Sequence, residues 1–190
     1  MKFSIIIPAY QAQHHIRKAL ESIRIQTFKD YELIVVCDSC TDRTEEIAKE
    51  YGAITESVNF NLDGLTRNRG IDMAKGDWLL FMDDDDWWMH DRVLEIIDAN
   101  TGDEDILRFG FFWQYVGDRH GREAIAVWNK AWRREFVGDT RFSDVPKWSD
   151  VDFNREMFRK SPFIRDIDDV LYYYNYMRKG SISWNEDHGI

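Results

Sequence analysis

Short runs that are apolar at every position alternate, along the first hundred residues, with stretches whose apolar positions recur every three or four residues. Three such runs, Ile5-Ile6-Ile7, Leu33-Ile34-Val35-Val36 and Trp78-Leu79-Leu80-Phe81-Met82, predict strands over residues 3–7, 32–37 and 77–82. Successive side chains of a strand point to opposite faces, so these strands must be covered on both. Residues 12–25, 44–51, 62–75 and 91–99 carry helical periodicity, the last with Val93, Leu94, Ile96 and Ile97 as its apolar face. The combination predicts an α/β, Rossmann-like fold, a mixed but mostly parallel central sheet with helices on both faces.

The second half changes character. Residues 105–116 and 123–127 predict a hairpin about Gly117-Asp118-Arg119-His120-Gly121, 149–160 a helix and 163–176 a long strand, together an antiparallel or mixed extension of the sheet. With no repeat, no low-complexity tract and only three prolines, nothing marks a boundary, and one domain over 1–190 is expected.

Open parallel sheets bind their ligands beyond the carboxyl ends of the strands, so the polar residues directly after each run are the first candidates for a site. Pro8-Ala9-Tyr10 comes after the first run, Asp38-Ser39 after the second and Asp83-Asp84-Asp85-Asp86 after the third. Four adjacent carboxylates repel one another unless water or a cation neutralises them. If the segment is extended, Asp83 and Asp85 fall on one side and can converge on Mg2+ or Mn2+, whose other positions go to water and phosphate oxygens. The competing view is a solvated loop or a helix cap, for which Asp91 is the better candidate. A buried run before the aspartates and Trp87-Trp88 after them favour the metal.

Composition narrows the partners. A net charge of -10 argues against nucleic acid, whose phosphates are held by clustered Lys and Arg, but leaves room for a single nucleotide bridged by a cation. Aromatic residues at 15%, with eight Trp, fill the core or make stacking platforms. Cys37 and Cys40 stand in a C-x-x-C spacing, yet no second ligand pair lies at zinc spacing and the flanks are not those of a thioredoxin. Two neighbouring thiols of a cytoplasmic protein are expected instead. The start, broken by Pro8, does not have the form of a signal peptide, and no apolar run approaches membrane-spanning length.

Four segments then resemble one family. Ser4-Ile5-Ile6-Ile7-Pro8-Ala9-Tyr10 is similar to the opening of the family 2 glycosyltransferases of GT-A fold, and Val36-Cys37-Asp38-Ser39-Cys40-Thr41-Asp42-Arg43-Thr44 to their VDDGSTDxT segment. Gly64-Leu65-Thr66-Arg67-Asn68-Arg69-Gly70 resembles the Gly...Ala-Arg-Asn-x-Gly stretch, and Phe81-Met82-Asp83-Asp84-Asp85-Asp86 the F-L-D-S-D-D stretch. Their order and spacing make the match specific where any one alone would be weak. In the second half, Trp128-Asn129-Lys130-Ala131-Trp132-Arg133-Arg134 resembles W-x-K-x-Y-R-R, and Trp148-Ser149-Asp150-Val151-Asp152-Phe153 resembles E-D-x-x-F. Leu171-Tyr172-Tyr173-Tyr174 and Ser181-Ile182-Ser183 are similar to the last core strand and its exit.

The resemblance implies an inverting, metal-dependent transfer of sugar from a nucleotide-diphosphate donor, UDP-sugar being the commonest in the family. The acceptor would be a hydroxyl of a glycan or lipid-linked molecule, in polysaccharide or glycoconjugate synthesis, with Mn2+ or Mg2+ as cofactor and peripheral membrane association compatible. Residues 1–100 would form the nucleotide-sugar-binding half and 101–190 the acceptor half. Carried over by position, Pro8, Ala9 and Tyr10 would wall the nucleoside, Asp38 would accept a hydrogen bond from the base, and Arg67 would lie near the base or diphosphate. Asp83 would face ribose and metal, with Asp84 beside it in the nucleotide-sugar set, and Asp85 would be the main metal ligand. The stretch from Trp128 would line the acceptor side, and Asp150 would be the catalytic base. Ser149 stands where the family has Glu, which makes Asp152 a rival; positions two apart on a helix do not share a face, so only one can serve. Cys37, Ser39 and Cys40 replace the family's Asp, Gly and Ser and alter the base pocket. His188 is open to a ligand role or to being an ordinary terminal histidine.

Two other functions compete. A nucleotidyltransferase would carry a Gly-rich phosphate loop and a Lys soon after the first strand, where this chain has Gln11-Ala12-Gln13-His14-His15. A non-catalytic nucleotide-sugar-binding domain of a larger enzyme would carry the same motifs.

Overall fold

The computed structural model describes residues 1–113, 119–121 and 125–176. In chain order the elements are β1 (Phe3–Ala9), α1 (Ile16–Arg24), β2 (Tyr31–Asp38), α2 (Thr44–Glu50), β3 (Ile54–Val58), α3 (Asp63–Met73), β4 (Trp78–Phe81), β5 (Trp87–Trp88), α4 (Val93–Asn100), β6 (Ile106–Trp113), β7 (Arg119–Gly121), β8 (Lys130–Arg133), α5 (Arg134–Val137), α6 (Ser149–Arg159) and β9 (Ile164–Tyr174). The strands form one sheet in the order β3-β2-β1-β4-β8-β6-β9-β5, with β7 on β6. Strands β1 to β4, β6 and β9 run one way and β5, β7 and β8 the other, so the sheet is mixed and mostly parallel.

The consecutive apolar runs are explained by two cores, one on each face. Phe3, Ile5 and Ile7 of β1, with Trp78 and Leu80 of β4, pack against Ile16, Leu20 and Ile23 of α1, Ile47 of α2 and Val93, Leu94 and Ile97 of α4. The alternate residues Ile6, Leu79 and Phe81 pack on the other face against Ile71 of α3 and Phe153 and Met157 of α6. Gly70 lets α3 cross β1, because a Cβ there would overlap the Ile6 side chain. Fully burying side chains of this size contributes about 1.5–3 kcal/mol each, which is why the register of the central strands is strongly specified.

Three parts of the sheet differ from the sequence expectation or refine it. Of the strand predicted over 123–127, residues 123 and 124 lie outside the described residues and 125–127 are bends; the strand inserted between β4 and β6 is Lys130–Arg133. Its Lys130 is buried, with Nζ donating to the Ala126 carbonyl at 2.7 Å and to Asn129 Oδ1 at 2.8 Å, a placement that a pattern treating Lys as surface hides. Arg119, His120 and Gly121, expected in the turn, form β7 against Phe111–Trp113 of β6; Gly117 and Asp118 lie outside the described residues. Finally, β9 pairs parallel with β6, which makes the extension of the sheet mixed rather than antiparallel. Among the described residues no helix is long and apolar enough to cross a membrane; Ser181, Ile182, Ser183 and His188 lie outside them.

Candidate active site

Because β1, β2 and β4 run in parallel and in register, their carboxyl ends and the loops that leave them share one edge of the sheet. A cleft of about 810 Å3 opens there. Pro8, Ala9, Tyr10, Asp38, Arg67, Asp83, Asp84, Asp85 and Asp150 all line it, whereas Asp152 and the Trp128–Arg134 stretch do not. Strained backbone gathers at the same place. Of the five described non-glycine residues with left-handed φ, Gln11, Asn61 and Trp148 line the cleft and Ser39 adjoins Asp38. Such conformations persist where surrounding structure enforces them.

Asp38 caps β2 and is buried. Its Oδ1 accepts from the backbone N–H groups of Phe60 at 2.8 Å and Asn61 at 3.0 Å and from Ser39 Oγ at 3.0 Å. Its Oδ2 accepts from Leu62 N–H at 3.1 Å and Thr66 Oγ1 at 2.8 Å. A carboxylate has about four acceptor positions; the three backbone N–H groups fill three, and the Ser39 and Thr66 hydroxyls, each with one proton, can turn instead to Asn59 Oδ1 at 2.7 Å and the Leu62 carbonyl at 3.0 Å, which leaves a position open to a donor from a base. The carboxylate also gathers the loop before α3 into the cleft wall. Burial alone would raise its pKa, but the donors from Asn61, Thr66, Ser39 and Phe60 outweigh it and hold the group below the usual carboxylate range. A folded pKa below the unfolded one adds stability that is complete above the unfolded value, near 4, and is lost as pH falls through the folded value. Asp38→Asn turns an acceptor into a donor facing Leu62 N–H and Thr66; the expected loss is about 2 kcal/mol or more, with a flatter acid limb of stability. Urea melts of both proteins from neutral pH downwards check this, and equal midpoints at neutral pH would refute it.

The segment after Asp38 works as a clasp between the first two loops. Asp42 accepts from Thr44 N–H at 3.0 Å and Gln13 N–H at 3.0 Å, Thr44 Oγ1 accepts from Ala12 N–H at 2.7 Å, and the Gln11 side chain bonds Thr41 in both directions. Cys37 and Cys40 are free thiols, and Cys40 Sγ donates to the Ala9 carbonyl at 3.3 Å.

The four aspartates form a turn rather than an extended segment, with Asp86 N–H donating to the Asp83 carbonyl at 3.2 Å. The alternation expected for Asp83 and Asp85 is therefore replaced by turn geometry, though both line the cleft. Asp83 Oδ1 accepts from Arg67 Nη2 at 2.6 Å, and Arg67 Nη1 also pairs with Asp63. Asp84 accepts from Tyr10 N–H at 3.2 Å and contacts His15 Nε2 at 3.0 Å. Asp86 points the other way: it is fully buried, accepting from Tyr172 OH at 2.6 Å and Asn175 N–H at 2.8 Å. Burial, then the charges of Asp85 and Asp83, push its pKa well up. Among the described residues no three His, Cys, Asp or Glu side chains converge as a closed cage. The donor chemistry fits a hard cation of another kind, one that takes one or two carboxylates and fills its shell with phosphate oxygens and water.

Asp150 sits in the first turn of α6 and faces the cleft, with Oδ1 accepting from Val151 N–H at 2.9 Å. Burial pushes its pKa up, Arg67 pulls against this, and the charge of Asp83 adds to it. Asp152 does not line the cleft; it accepts from Ser143 Oγ at 3.1 Å and pairs with Arg155 at 2.8 Å. The stretch Trp128–Arg134 does not line the cleft either. It supplies β8 in mid-sheet: Trp132 lies in the core, Trp128 stacks on Tyr172 with ring centroids 4.6 Å apart, and Arg133 lies over Trp78.

Ser149, in the place of the family's Glu, is buried against α3: a Cβ on Gly64 would stand 2.9 Å from Ser149 Cβ and 2.5 Å from the Ser143 carbonyl oxygen. Gly64→Ala is expected to destabilise by about 1–3 kcal/mol as α6 and α3 separate, seen as a lower thermal midpoint; an unchanged midpoint would contradict this contact. Residues to which the sequence reading gave no site role are His15, Asn61, Trp148, Asn175 and Tyr176, all in the cleft wall. His15, Asn61 and Trp148 follow no apolar run, whereas Asn175 and Tyr176 leave the end of β9, a strand end that could have marked them.

A Rossmann-like mixed sheet with an acidic turn and a nucleotide-sized cleft at its carboxyl edge defines the GT-A class of fold. The model of "Glycosyl transferase family 2" matches residues 4–165, and the chain belongs to that family. Glycosyltransferase GlyA of Streptococcus pneumoniae is 26% identical over 225 residues, covering 97% of this chain and 32% of that protein. The uncharacterized glycosyltransferase EpsJ of Bacillus subtilis is 29% identical over 214 residues, covering 90% of this chain and 60% of that protein. The chain thus spans about a third and three-fifths of these relatives. Among solved structures, S. aureus TarS 1–349 in complex with UDP-GlcNAc superposes with a TM-score of 0.86 at 22% identity, covering 97% of this chain and 61% of that one. Glucosyl-3-phosphoglycerate synthase of Mycobacterium tuberculosis, in complex with Mn2+, UDP and glucosyl-3-phosphoglycerate, gives 0.69 at 17% identity, covering 99% of this chain and 75% of that one.

Proposed function

We propose that the cleft binds a nucleotide-diphosphate sugar, a UDP-sugar in preference, together with Mn2+ or Mg2+, and transfers the sugar with inversion to a hydroxyl of a glycan or lipid-linked acceptor. The observation that carries this is the meeting, in one cleft, of the wall after β1, the aspartate turn after β4 and the half-buried Asp150. The UDP and Mn2+ complexes of the structural neighbours support it. Pro8, Ala9 and Tyr10 wall the nucleoside. Asp38 acts by shaping the 60–62 loop beside it, and Arg67 orients Asp83 while offsetting its charge. Asp84, tied to His15 and the Tyr10 backbone, fixes the turn to that wall.

Asp83 and Asp85 would hold the divalent cation, which when bound neutralises the diphosphate leaving group. Asp150 takes the proton of the acceptor hydroxyl as its oxygen attacks the anomeric carbon; the bond to the diphosphate breaks and its oxygen leaves with the electron pair. No covalent enzyme intermediate is required. Residues before about 100 supply the donor side and those after it the base, in keeping with a donor half and an acceptor half. A place in polysaccharide or glycoconjugate synthesis accords with this chemistry, and the two free thiols suit a cytoplasmic setting.

A thermal-shift panel of nucleotide diphosphates and nucleotide sugars with Mn2+, Mg2+ or EDTA tests the binding. A ligand at 100 times its Kd stabilises by about 2.7 kcal/mol, so UDP or a UDP-sugar is expected to raise the midpoint clearly with cation and little with EDTA. No shift with any nucleotide would refute the proposal.

A further inference from the structure

Trp148 is unlike the other described tryptophans. Trp78, Trp88, Trp128 and Trp132 are buried and Trp87 and Trp113 half-buried, whereas Trp148 is 61% exposed. Among the described residues its indole has neither a ring partner nor a hydrogen-bond partner. Its backbone is left-handed, at φ 68° and ψ 18°, a conformation that a bulky L-residue adopts only under constraint. The constraint is visible on both sides. Ser149, next in the chain, is packed against Gly64, and the Trp148 carbonyl accepts from Asp152 N–H at 3.1 Å in the first turn of α6. The fold therefore holds an unfavourable backbone and leaves a large apolar ring facing the cleft, two residues before Asp150.

An exposed aromatic face beside polar groups is the usual complement of a pyranose, whose C–H face packs on the ring while its hydroxyls reach neighbouring donors and acceptors. Among the described residues the cleft has one other exposed aromatic ring, Tyr10, and it stands on the nucleoside wall after β1. The acceptor hydroxyl must reach the Asp150 carboxylate, so the ring closest in the chain to that carboxylate belongs to the acceptor side. We infer that Trp148 is the acceptor-sugar platform, a specificity-determining residue whose strained backbone positions the indole over the sugar that presents its hydroxyl to Asp150. This rests on the proposed glycosyl-transfer function.

Glycine separates binding from folding, because it favours the left-handed conformation that Trp148 is forced into. Wild type, Trp148→Gly and Trp148→Phe are compared with Mn2+, the UDP-sugar that the wild type hydrolyses, and p-nitrophenyl pyranosides as acceptor probes. Trp148→Gly is expected to raise acceptor KM at least tenfold, to keep donor KM within twofold, and to keep or raise the thermal midpoint; Trp148→Phe recovers most of the acceptor affinity. An acceptor KM within twofold of wild type in the glycine variant would overturn the inference, as would a rise in donor KM instead, which would put the indole over the donor. A wild type that turns over no nucleotide sugar at all overturns the glycosyl-transfer function itself, and this inference with it.

Discussion

Asp150→Asn is expected to bind the donor as tightly as wild type and to transfer sugar about 10²- to 10⁴-fold more slowly, the usual contribution of a positioned general base. The amide keeps the shape of the side chain, and its oxygen can still accept from Val151 N–H, so helix α6 and the cleft stay in place. What is lost is the ability to take a proton. Asp152→Asn serves as the control: its carboxylate is engaged by Ser143 and Arg155 away from the cleft, and activity within a few-fold of wild type is expected. Full activity in the Asp150 variant would remove this residue from the chemistry. The same carboxylate sets the pH dependence. A base must be ionised, so kcat is present above its pKa and falls as pH drops through it. Because burial raises that pKa, the acid limb should lie above the value near 4 of an ordinary aspartate. A limb at or below that value would contradict the half-buried placement of Asp150.

Asp85→Ala is expected to lose both steps. Turnover should fall on the order of 10³-fold, since a bound cation contributes several kcal/mol to a transition state that sheds a diphosphate. Donor affinity should drop to what the wild type shows in EDTA, and the response to Mn2+ should vanish. Arg67 pairs with Asp83 and His15 contacts Asp84, so loss of Asp85 leaves the neighbouring carboxylates held in place. Titration calorimetry of UDP into both proteins, with and without Mn2+, separates the contributions. A variant that still binds UDP more tightly in Mn2+ than in EDTA would move the cation elsewhere.

Much of the central fold can be seen in the chain because β1, β2 and β4 are buried on both faces, and such strands are apolar at every position. Helices α1, α4 and α6 show for the same reason, their apolar faces packing on the cores, whereas α3 buries Gly64, Thr66, Arg67 and Gly70 beside Ile71 and has little apolar face to read. Strand β3 escaped because it is an edge strand with a polar sequence, Ile-Thr-Glu-Ser-Val, and one neighbour. Strand β5 is two residues long, and β8 carries Lys130 and Arg133, whose charges hide the buried stems. At the cleft, residues directly after an apolar run were legible, since strand ends deliver them to one edge. Their hydrogen bonding was not. That Asp38 gathers Phe60, Asn61, Leu62 and Thr66, or that Asp86 turns away towards Tyr172, depends on segments up to 89 residues distant. The left-handed Trp148 is equally silent, because nothing in its neighbours marks a helix entered through strained backbone.

Everything proposed for this cleft depends on the aspartate turn after β4 holding a cation against the diphosphate of a bound nucleotide. A crystal structure grown with UDP and Mn2+, with anomalous diffraction locating the metal, tests it most directly. The expected result is one Mn2+ peak at about 2.0–2.6 Å from a carboxylate oxygen of Asp85, bridging to the diphosphate, with the uracil beside Pro8, Ala9 and Tyr10. UDP bound in the cleft with no anomalous peak near the turn, or a peak on residues outside the cleft, would contradict the account.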